Sequence, residues 1–350
     1  MERQVNSELM RAVVITAPKT ASLQEIKRWS VEPGEVLVRV KTAAICTTER
    51  RVFAGDLALY PTIGGHEFAG IVESVGQAET TLKPGDHVAM DHVNRCGQCY
   101  YCLKGHNNLC VRVYEPRKPS EYVIIGGGFA EYTTPLREQV VKLPEHVDLE
   151  EASLIEPLAC CIHSINKAQI APGETVAIIG AGTMGAMHLL LAKLHGAMVI
   201  VSDVDQQRLD WIKQLGADAT VNPQAEDPVQ FVKDFTDGRG ADAVIVAAAT
   251  KAAGQNGLAM AGKAARVVLY SAQYPPGTLE LDWNHVHYKE IAVVGSEGKT
   301  HSDFRHAVNL LSDGSISLRP LISRVITLEE LPQELANKPS GEIQRVVVKL

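Results

Sequence analysis

The sequence predicts an α/β chain of two domains, an irregular β-barrel joined to a doubly wound parallel sheet. Three observations predict it. The chain has 350 residues, more than one ordinary hydrophobic core organises. Up to about residue 150 it is strand-like and glycine-rich. Beyond that, short apolar strands alternate strictly with helices, which implies a parallel sheet covered on both faces.

The barrel is read from Arg11–Thr16, Glu35–Lys41, Gly70–Gly76 and Asp86–Met90, short β-branched runs punctuated by Pro-Gly turns at 33–34 and 84–85. Residues 1–9 precede the first of these runs and read as a disordered extension. The texture changes near 150. Strands are expected at Val176–Ile179, Met198–Ser202, Ala243–Ala247, Arg266–Tyr270 and Ile291–Gly295, with helices over Met184–His195 and Gln206–Leu215 and further helical stretches between the later strands. Val346–Leu350 looks like a closing strand of the barrel. The domains are therefore expected at 1–157 with 297–350, carrying a lobe at about 94–112, and at 158–296.

Composition narrows the function. Hydrophobic residues at 45% and charged residues at 21% are the balance of a folded soluble chain. A net charge of −7 without any lysine-arginine block argues against nucleic acid as the main partner. The first ten residues lack the apolar stretch of a secretory signal, and no run approaches the roughly twenty apolar residues that cross a bilayer. A cytoplasmic protein without a membrane partner is expected. Four of the seven cysteines crowd into positions 96–110, and in a signal-less enzyme-sized chain that pattern reads as metal binding or catalysis rather than disulfides.

The cysteines fall as Cys96-x-x-Cys99-x-x-Cys102-x7-Cys110. Zinc takes four soft ligands in a tetrahedron, and a tight lobe supplies them without help from the rest of the fold. Gly97, Gly105 and Asn107-Asn108 give the lobe its turns. Four thiolates close the coordination sphere, so this zinc is expected to be structural.

A second pattern, Gly180-Ala-Gly182-Thr-Met184-Gly185, follows a strand and opens a helix, and Asp203 lies eighteen residues after Gly185 at the end of the next strand. Glycines let backbone approach a pyrophosphate, and a helix N-terminus offers free N–H groups and the positive end of its dipole. Asp203 would accept the ribose hydroxyls and repel a 2′-phosphate, which favours NAD over NADP. Arg208 is expected to pack along the adenosine. Ser271 and Ser296, at strand ends on the carboxyl edge of the sheet, are expected to face the nicotinamide ring.

A third set is scattered: Cys46, His66-Glu67 after Gly64-Gly65, and Glu156 in Ile155-Glu-Pro-Leu. Taken singly, Cys46 is equally a core thiol and His66 an interior histidine. They gain weight beside a nucleotide fingerprint, because an NAD enzyme needs something to polarise its carbonyl.

The strings Gly65-His-Glu-Phe-Ala-Gly70, Cys96 to Cys110, Gly127-Gly-Phe-Ala-Glu-Tyr132, Glu156-Pro-Leu-Ala159 and the Gly180 fingerprint together resemble the zinc-containing medium-chain dehydrogenases/reductases. The resemblance covers residues 10–350 and is nearest in pattern to the polyol (sorbitol) dehydrogenase branch. It implies a GroES-like catalytic domain interrupted by a Rossmann domain, with the active site in the cleft between them. It also implies a catalytic zinc on Cys46 and His66, with Glu67 or Glu156 completing the set, Thr48 as the proton-relay hydroxyl and Glu49 orienting His66. Two departures stand out. Arg51 occupies the place of a proton-passing histidine and cannot act as a base. Gly298-Lys299 replaces the arginine-tyrosine pair that binds sorbitol.

The expected activity is interconversion of a secondary alcohol, a polyol or sugar derivative, with its ketone by hydride transfer to NAD, using two zinc ions per chain. Arg51, Lys299 and the loop 112–118 raise the alternative of an anionic substrate such as a sugar phosphate, sugar acid or hydroxy amino acid. A non-catalytic zinc- and NAD-binding structural protein is the alternative of another class. A zinc-free reductase would not need Cys46 and His66, and a zinc-finger module would need basic charge beside its cysteines. Cys160 and His163 share a helical face with Glu156; of the two readings, lining the metal pocket or packing behind Glu156, packing is preferred, and Cys161 is left unassigned. By analogy with the family, a homodimer or homotetramer is expected.

Overall fold

The computed structural model describes residues 8–77, 81–116, 120–273, 275–337 and 344–350. The chain divides into two compact units, 1–157 with 300–350, and 158–299.

The first unit is built on two sheets. The larger runs, in spatial order, Ile322–Thr327, Arg345–Lys349, Val36–Ala44, Glu67–Val75, His87–Met90 and Val140–Lys142, with Tyr132–Thr133 also pairing with Val36–Ala44. The smaller joins Thr20–Lys27, Leu9–Ala17, Thr62–Ile63 and Val123–Ile124. Alternation explains the packing. Val36, Val38 and Val40 lie on one face of their strand and meet Phe68, Val72, Val88, Phe129, Val346 and Val348 in one buried cluster. The closing segment is thus integral to the barrel core. The first strand begins earlier than its sequence pattern implies, with Leu9 opposite Lys27 and Met10 opposite Ile26. Met10 is buried under Ala12, Val14 and Ile63, so Leu9 belongs to a strand and not to an extension. Residues 1–7 of that expected extension lie outside the described residues.

The second unit is a six-stranded parallel sheet in the order Ala219–Val221, Met198–Ser202, Thr175–Ile179, Ala241–Val246, Ala261–Leu269 and Ala292–Gly295. The strand Thr175–Ile179 is buried at every position, as expected of a strand covered on both faces. The first strand in sequence is central, the next two lie on one side of it and the last three on the other. The chain therefore changes direction across the sheet at Thr175–Ile179, the kind of switch point at which doubly wound sheets bind ligands beyond the carboxyl ends of their strands. Helices Thr183–Leu194, Gln206–Gln214, Pro228–Phe235 and Lys251–Met260 connect successive strands. The short strand Ala219–Val221 was not legible as a separate element, since only its last residue is fully buried. No helix among the described residues is long and apolar enough to cross a membrane.

Candidate functional site

In the barrel unit, Cys46 stands at the N-cap of helix Thr47–Ala54. Glu49, three residues on, turns back so that Oε2 accepts the Cys46 N–H at 3.1 Å, which fixes the cysteine relative to the helix. The other Glu49 oxygen accepts the Gly65 N–H at 3.0 Å and sits 2.7 Å from His66 Nδ1. Gly65 is required there: its φ is +86°, and an added Cβ would lie 2.7 Å from the Phe129 backbone nitrogen. One completely buried carboxylate thus ties Cys46 and His66 together. With Nδ1 donating to Glu49, the other ring nitrogen, Nε2, keeps the lone pair that a metal ligand needs.

Burial alone would raise the Glu49 carboxyl. The His66 charge and the hydrogen bonds from His66 and the Gly65 N–H outweigh it and hold the group below its usual range. His66 shifts the opposite way. Burial would lower it, but Glu49 and Cys46 together carry it well above an ordinary imidazole. A negative field of this kind also suits a cation.

Two overlapping donor groups meet at His66. Cys46, Glu49 and His66 place ligand atoms within 4.8 Å of one another, and so do His66, Glu67 and Glu156. Glu67, at the start of strand Glu67–Val75, is buried; its Oε1 accepts from Arg345 Nη2 at 2.7 Å, whereas Oε2 is buried with no hydrogen-bond partner. Burial raises the Glu67 carboxyl; Arg345 and His66 oppose that shift, and Glu156 and Glu49 add to it. An orphaned carboxylate oxygen among a thiol, an imidazole and a second buried carboxylate is a donor set that fits zinc. Thr48 Oγ1 lies 3.8 Å from Cys46 Sγ, so the expected relay hydroxyl is beside the expected ligand. Arg51 is in the same helix, one turn further on.

Two residues of this pocket escaped the sequence reading. His92 packs its ring 4.9 Å from that of His66, with Nδ1 3.8 Å from Glu156 Oε1. Arg345 reaches Glu67 and comes within 3.8 Å of Cys46 Sγ. The available signal was positional: His92 lies two residues after the apolar run that ends at Met90, and Arg345 directly before Val346.

Cys96, Cys99, Cys102 and Cys110 bring their sulfurs within 4.8 Å of one another. The backbone is folded toward those sulfurs. Cys96 N–H donates to Cys110 Sγ at 3.3 Å, Cys99 N–H to Cys96 Sγ at 3.3 Å, and Arg112 N–H to Cys110 Sγ at 3.4 Å. The Cys102 and Val111 N–H groups lower the Cys99 thiol to about 6, while burial pushes Cys102 up to about 12. All seven cysteines are free thiols. A thiolate-favouring backbone around four converging sulfurs suits a closed zinc site.

In the second unit, Gly180–Gly185 occupies the switch point. Gly182 caps helix Thr183–Leu194, and a Cβ there would meet nothing within 4 Å, leaving open space at the helix N-terminus. Gly185 has no such freedom, since a Cβ would fall 1.8 Å from Gly180 O. Met184 lies between them in the first turn. Asp203 Oδ2 accepts the Ala181 N–H at 2.7 Å, and Oδ1 accepts the Asp205 N–H at 2.9 Å. The acid is therefore bonded to the glycine turn itself. Arg208 Nε is 3.7 Å from Asp205 Oδ2, and Ser271 Oγ donates to Ala247 O at 2.7 Å. Cys161 is fully buried, Sγ lying 3.9 Å from Tyr270 Oη. Of the loop 112–118, residues 117 and 118 lie outside the described residues.

Comparison with known proteins places this arrangement. Residues 32–145 match the alcohol dehydrogenase GroES-like domain, and residues 169–313 match the zinc-binding dehydrogenase domain. L-threonine 3-dehydrogenase of Bacillus subtilis is 34% identical over 94% of this chain and 94% of its own length. Sorbitol dehydrogenase of Halalkalibacterium halodurans is 30% identical over 97% and 99%. Among solved structures, a zinc-binding dehydrogenase from Sinorhizobium meliloti, bound to NADP, superposes with a TM-score of 0.90 at 30% identity, covering 98% of this chain and 99% of that one. A likeness of this extent carries the family with it: the chain belongs to the zinc-binding dehydrogenases of the alcohol and polyol type, and it is an oxidoreductase.

Proposed function

We propose that this dehydrogenase interconverts a secondary alcohol, a polyol or sugar derivative, and its ketone with NAD(H). The observation that carries the reading is the junction at His66, where Glu49 fixes the imidazole and the unpartnered Glu67 Oε2 adds a donor beside Cys46 and Glu156. Cys46 and His66, with Glu67 or Glu156, would hold a zinc ion that supplies a Lewis acid when bound. Thr48 takes the proton of the substrate hydroxyl. Arg345 holds Glu67 Oε1, which leaves Oε2 as the oxygen available to a cation. Cys96, Cys99, Cys102 and Cys110 would hold a second, structural zinc.

In the second unit, Gly180, Gly182, Met184 and Gly185 would receive the pyrophosphate, with Arg208 and Ser271 toward the two ends of the cofactor. Asp203 favours NAD because a carboxylate accepts ribose hydroxyls and repels a 2′-phosphate. The reading also makes the protein a cytoplasmic homodimer or homotetramer, which light scattering on purified protein checks for mass.

The test is metal content per chain, measured with NAD⁺ reduction over a panel of polyols, sugar acids and sugar phosphates. Near two zinc ions and NAD-dependent turnover are expected. One zinc ion and no turnover would remove the catalytic centre and leave the four-cysteine lobe.

A hydroxy amino acid or other anion is the second reading. It is favoured by the relative named L-threonine 3-dehydrogenase and by Lys299, a lysine only 1% exposed at the carboxyl edge of the sheet. Turnover of a neutral polyol set against its phosphate ester and against threonine separates the two readings.

A further inference from the structure

The two candidate metal centres of the barrel unit are joined by one short strap, residues 91–95, running from the end of strand His87–Met90 to the first lobe cysteine. Asp91 opens it and is completely buried although charged. Its backbone N–H donates to Gln139 O at 2.8 Å. Its carboxylate receives a two-pronged bond from Arg95, at 2.6 and 3.3 Å, and a third from His301 Nδ1 at 3.1 Å. Arg305 Nε donates to His301 Nε2 at 3.1 Å, so the His301 ring proton is on the nitrogen facing Asp91.

Both partners of Asp91 lead to the lobe. Arg95 directly precedes Cys96, and the His301 backbone N–H donates to Asn107 Oδ1 at 3.2 Å. In the other direction, His92 follows Asp91, and its carbonyl accepts from Gln139 Nε2 at 3.0 Å. The His92 ring then packs on His66 and Glu156. A path therefore runs from the four-cysteine lobe to the candidate catalytic donors, through the chain at Cys96–Arg95 and Asp91–His92, the charge-assisted bonds on Asp91 and the packed His92 and His66 rings. Arg and a carboxylate bonded in this bidentate way hold direction as well as distance.

We propose that Asp91 is a positioning residue through which the four-cysteine lobe holds the catalytic pocket in shape. Metal in the lobe fixes Cys96 and the turn at Asn107; these fix Arg95 and His301. Asp91, gripped by both, sets the backbone from which His92 buttresses His66 and Glu156. The two metal centres are thereby coupled: emptying the lobe loosens the catalytic donors without altering any of them. The inference rests on the zinc reading of both centres given above.

The experiment follows release of catalytic metal to a chelator, with cobalt in place of the catalytic zinc so that its thiolate and ligand-field absorption bands report the geometry. Asp91→Asn keeps the shape of the side chain and removes its charge. It should release catalytic cobalt about 10-fold faster, the lower end of what outer partners of metal ligands contribute, and shift the bands while leaving NADH binding unchanged. Cys102→Ser, which empties the lobe, should do the same, and the double variant should be no worse than either single one. Arg95→Met serves as the second probe of the same joint should Asp91→Asn fold poorly. Wild-type release and unshifted bands in both variants, or effects that multiply in the double variant, overturn the coupling. A wild-type protein holding one metal ion overturns the two-centre reading and the coupling with it, whereas two metal ions with unchanged release overturn the coupling alone.

Discussion

Arg345 Nη2 donates to Glu67 Oε1 across 2.7 Å and lies 3.8 Å from Cys46 Sγ, so one guanidinium faces a thiol and a carboxylate of the same pocket. Arg345 is 12% exposed and Glu67 1%, which makes this a buried pair. Removing one partner of such a pair costs about 3–5 kcal/mol because the other charge is left behind. Arg345→Met is therefore expected to destabilise the metal-free protein by that order. Zinc would recover part of the loss, since the cation then faces Glu67 and Cys46 without a competing positive charge. Thermal melts with chelator and with zinc measure both parts. A zinc-dependent rise no larger than that of the wild type would refute the competition.

Glu49 makes three bonds with two oxygens, to Cys46 N–H, Gly65 N–H and His66 Nδ1. Glutamine cannot reproduce this, because its NH₂ group would face either a backbone N–H or the donating imidazole. Glu49→Gln is expected to weaken catalytic zinc binding 10–100-fold and to leave lobe zinc in place. Competition with a colorimetric chelator, read as two separate release phases, gives the answer. Equal loss from both phases would mean that the fold, not His66, was damaged.

Much of this was legible in the sequence for a simple reason: short-range spacing carries it. The four cysteines sit within fifteen positions, and the glycine turn lies between a strand and a helix that periodicity alone reveals. Cys46, His66 and Glu156 were single weak candidates that only the family pattern joined into one site, since the bond that brings His66 to the Cys46 helix spans 17 residues. His92 and Arg345 carried only a positional signal, each near one end of an apolar run, and nothing local that pointed to chemistry. Arg345 meets Glu67 across 278 positions, and only the pairing of Arg345–Lys349 with Val36–Ala44, itself paired with Glu67–Val75, brings them together. Likewise Leu9 joined a strand because Met10 had a buried partner face, which propensity over residues 1–9 could not indicate.

Asp203 accepts the Ala181 N–H at 2.7 Å, and in the proposed reading it also meets the ribose. Asp203→Ser should therefore lower affinity for NADH and NADPH alike by loosening the glycine turn. It should also move the ratio toward NADPH, because the repulsion of a 2′-phosphate is gone. A lost charge-assisted bond is worth about 1.5–3 kcal/mol, so NADH affinity is expected to fall by more than 10-fold. Fluorescence titration with both cofactors tests the ratio, and an unchanged ratio would place the ribose elsewhere.

His188 gives the clearest pH dependence. It is fully buried in helix Thr183–Leu194, with its ring edge-on to Tyr270 at 4.6 Å; Nδ1 donates to Met184 O at 2.7 Å, and Nε2 has no partner. Burial lowers it to about 4, against the Met184 hydrogen bond, because nothing receives a second ring proton. In the unfolded chain the imidazole takes up its proton near the ordinary value of about 6.5. Between these values the unfolded state binds more protons than the folded one. The stability that comes from keeping His188 neutral is therefore complete above about 6.5 and is lost as pH falls toward about 4. A shift of this size corresponds to roughly 3 kcal/mol at most. His188→Gln retains a donor for Met184 O and cannot titrate. Urea unfolding of both proteins from pH 7 to pH 4 should show the wild type losing stability faster, by up to that amount. Parallel curves would mean that the second proton finds a partner inside the fold.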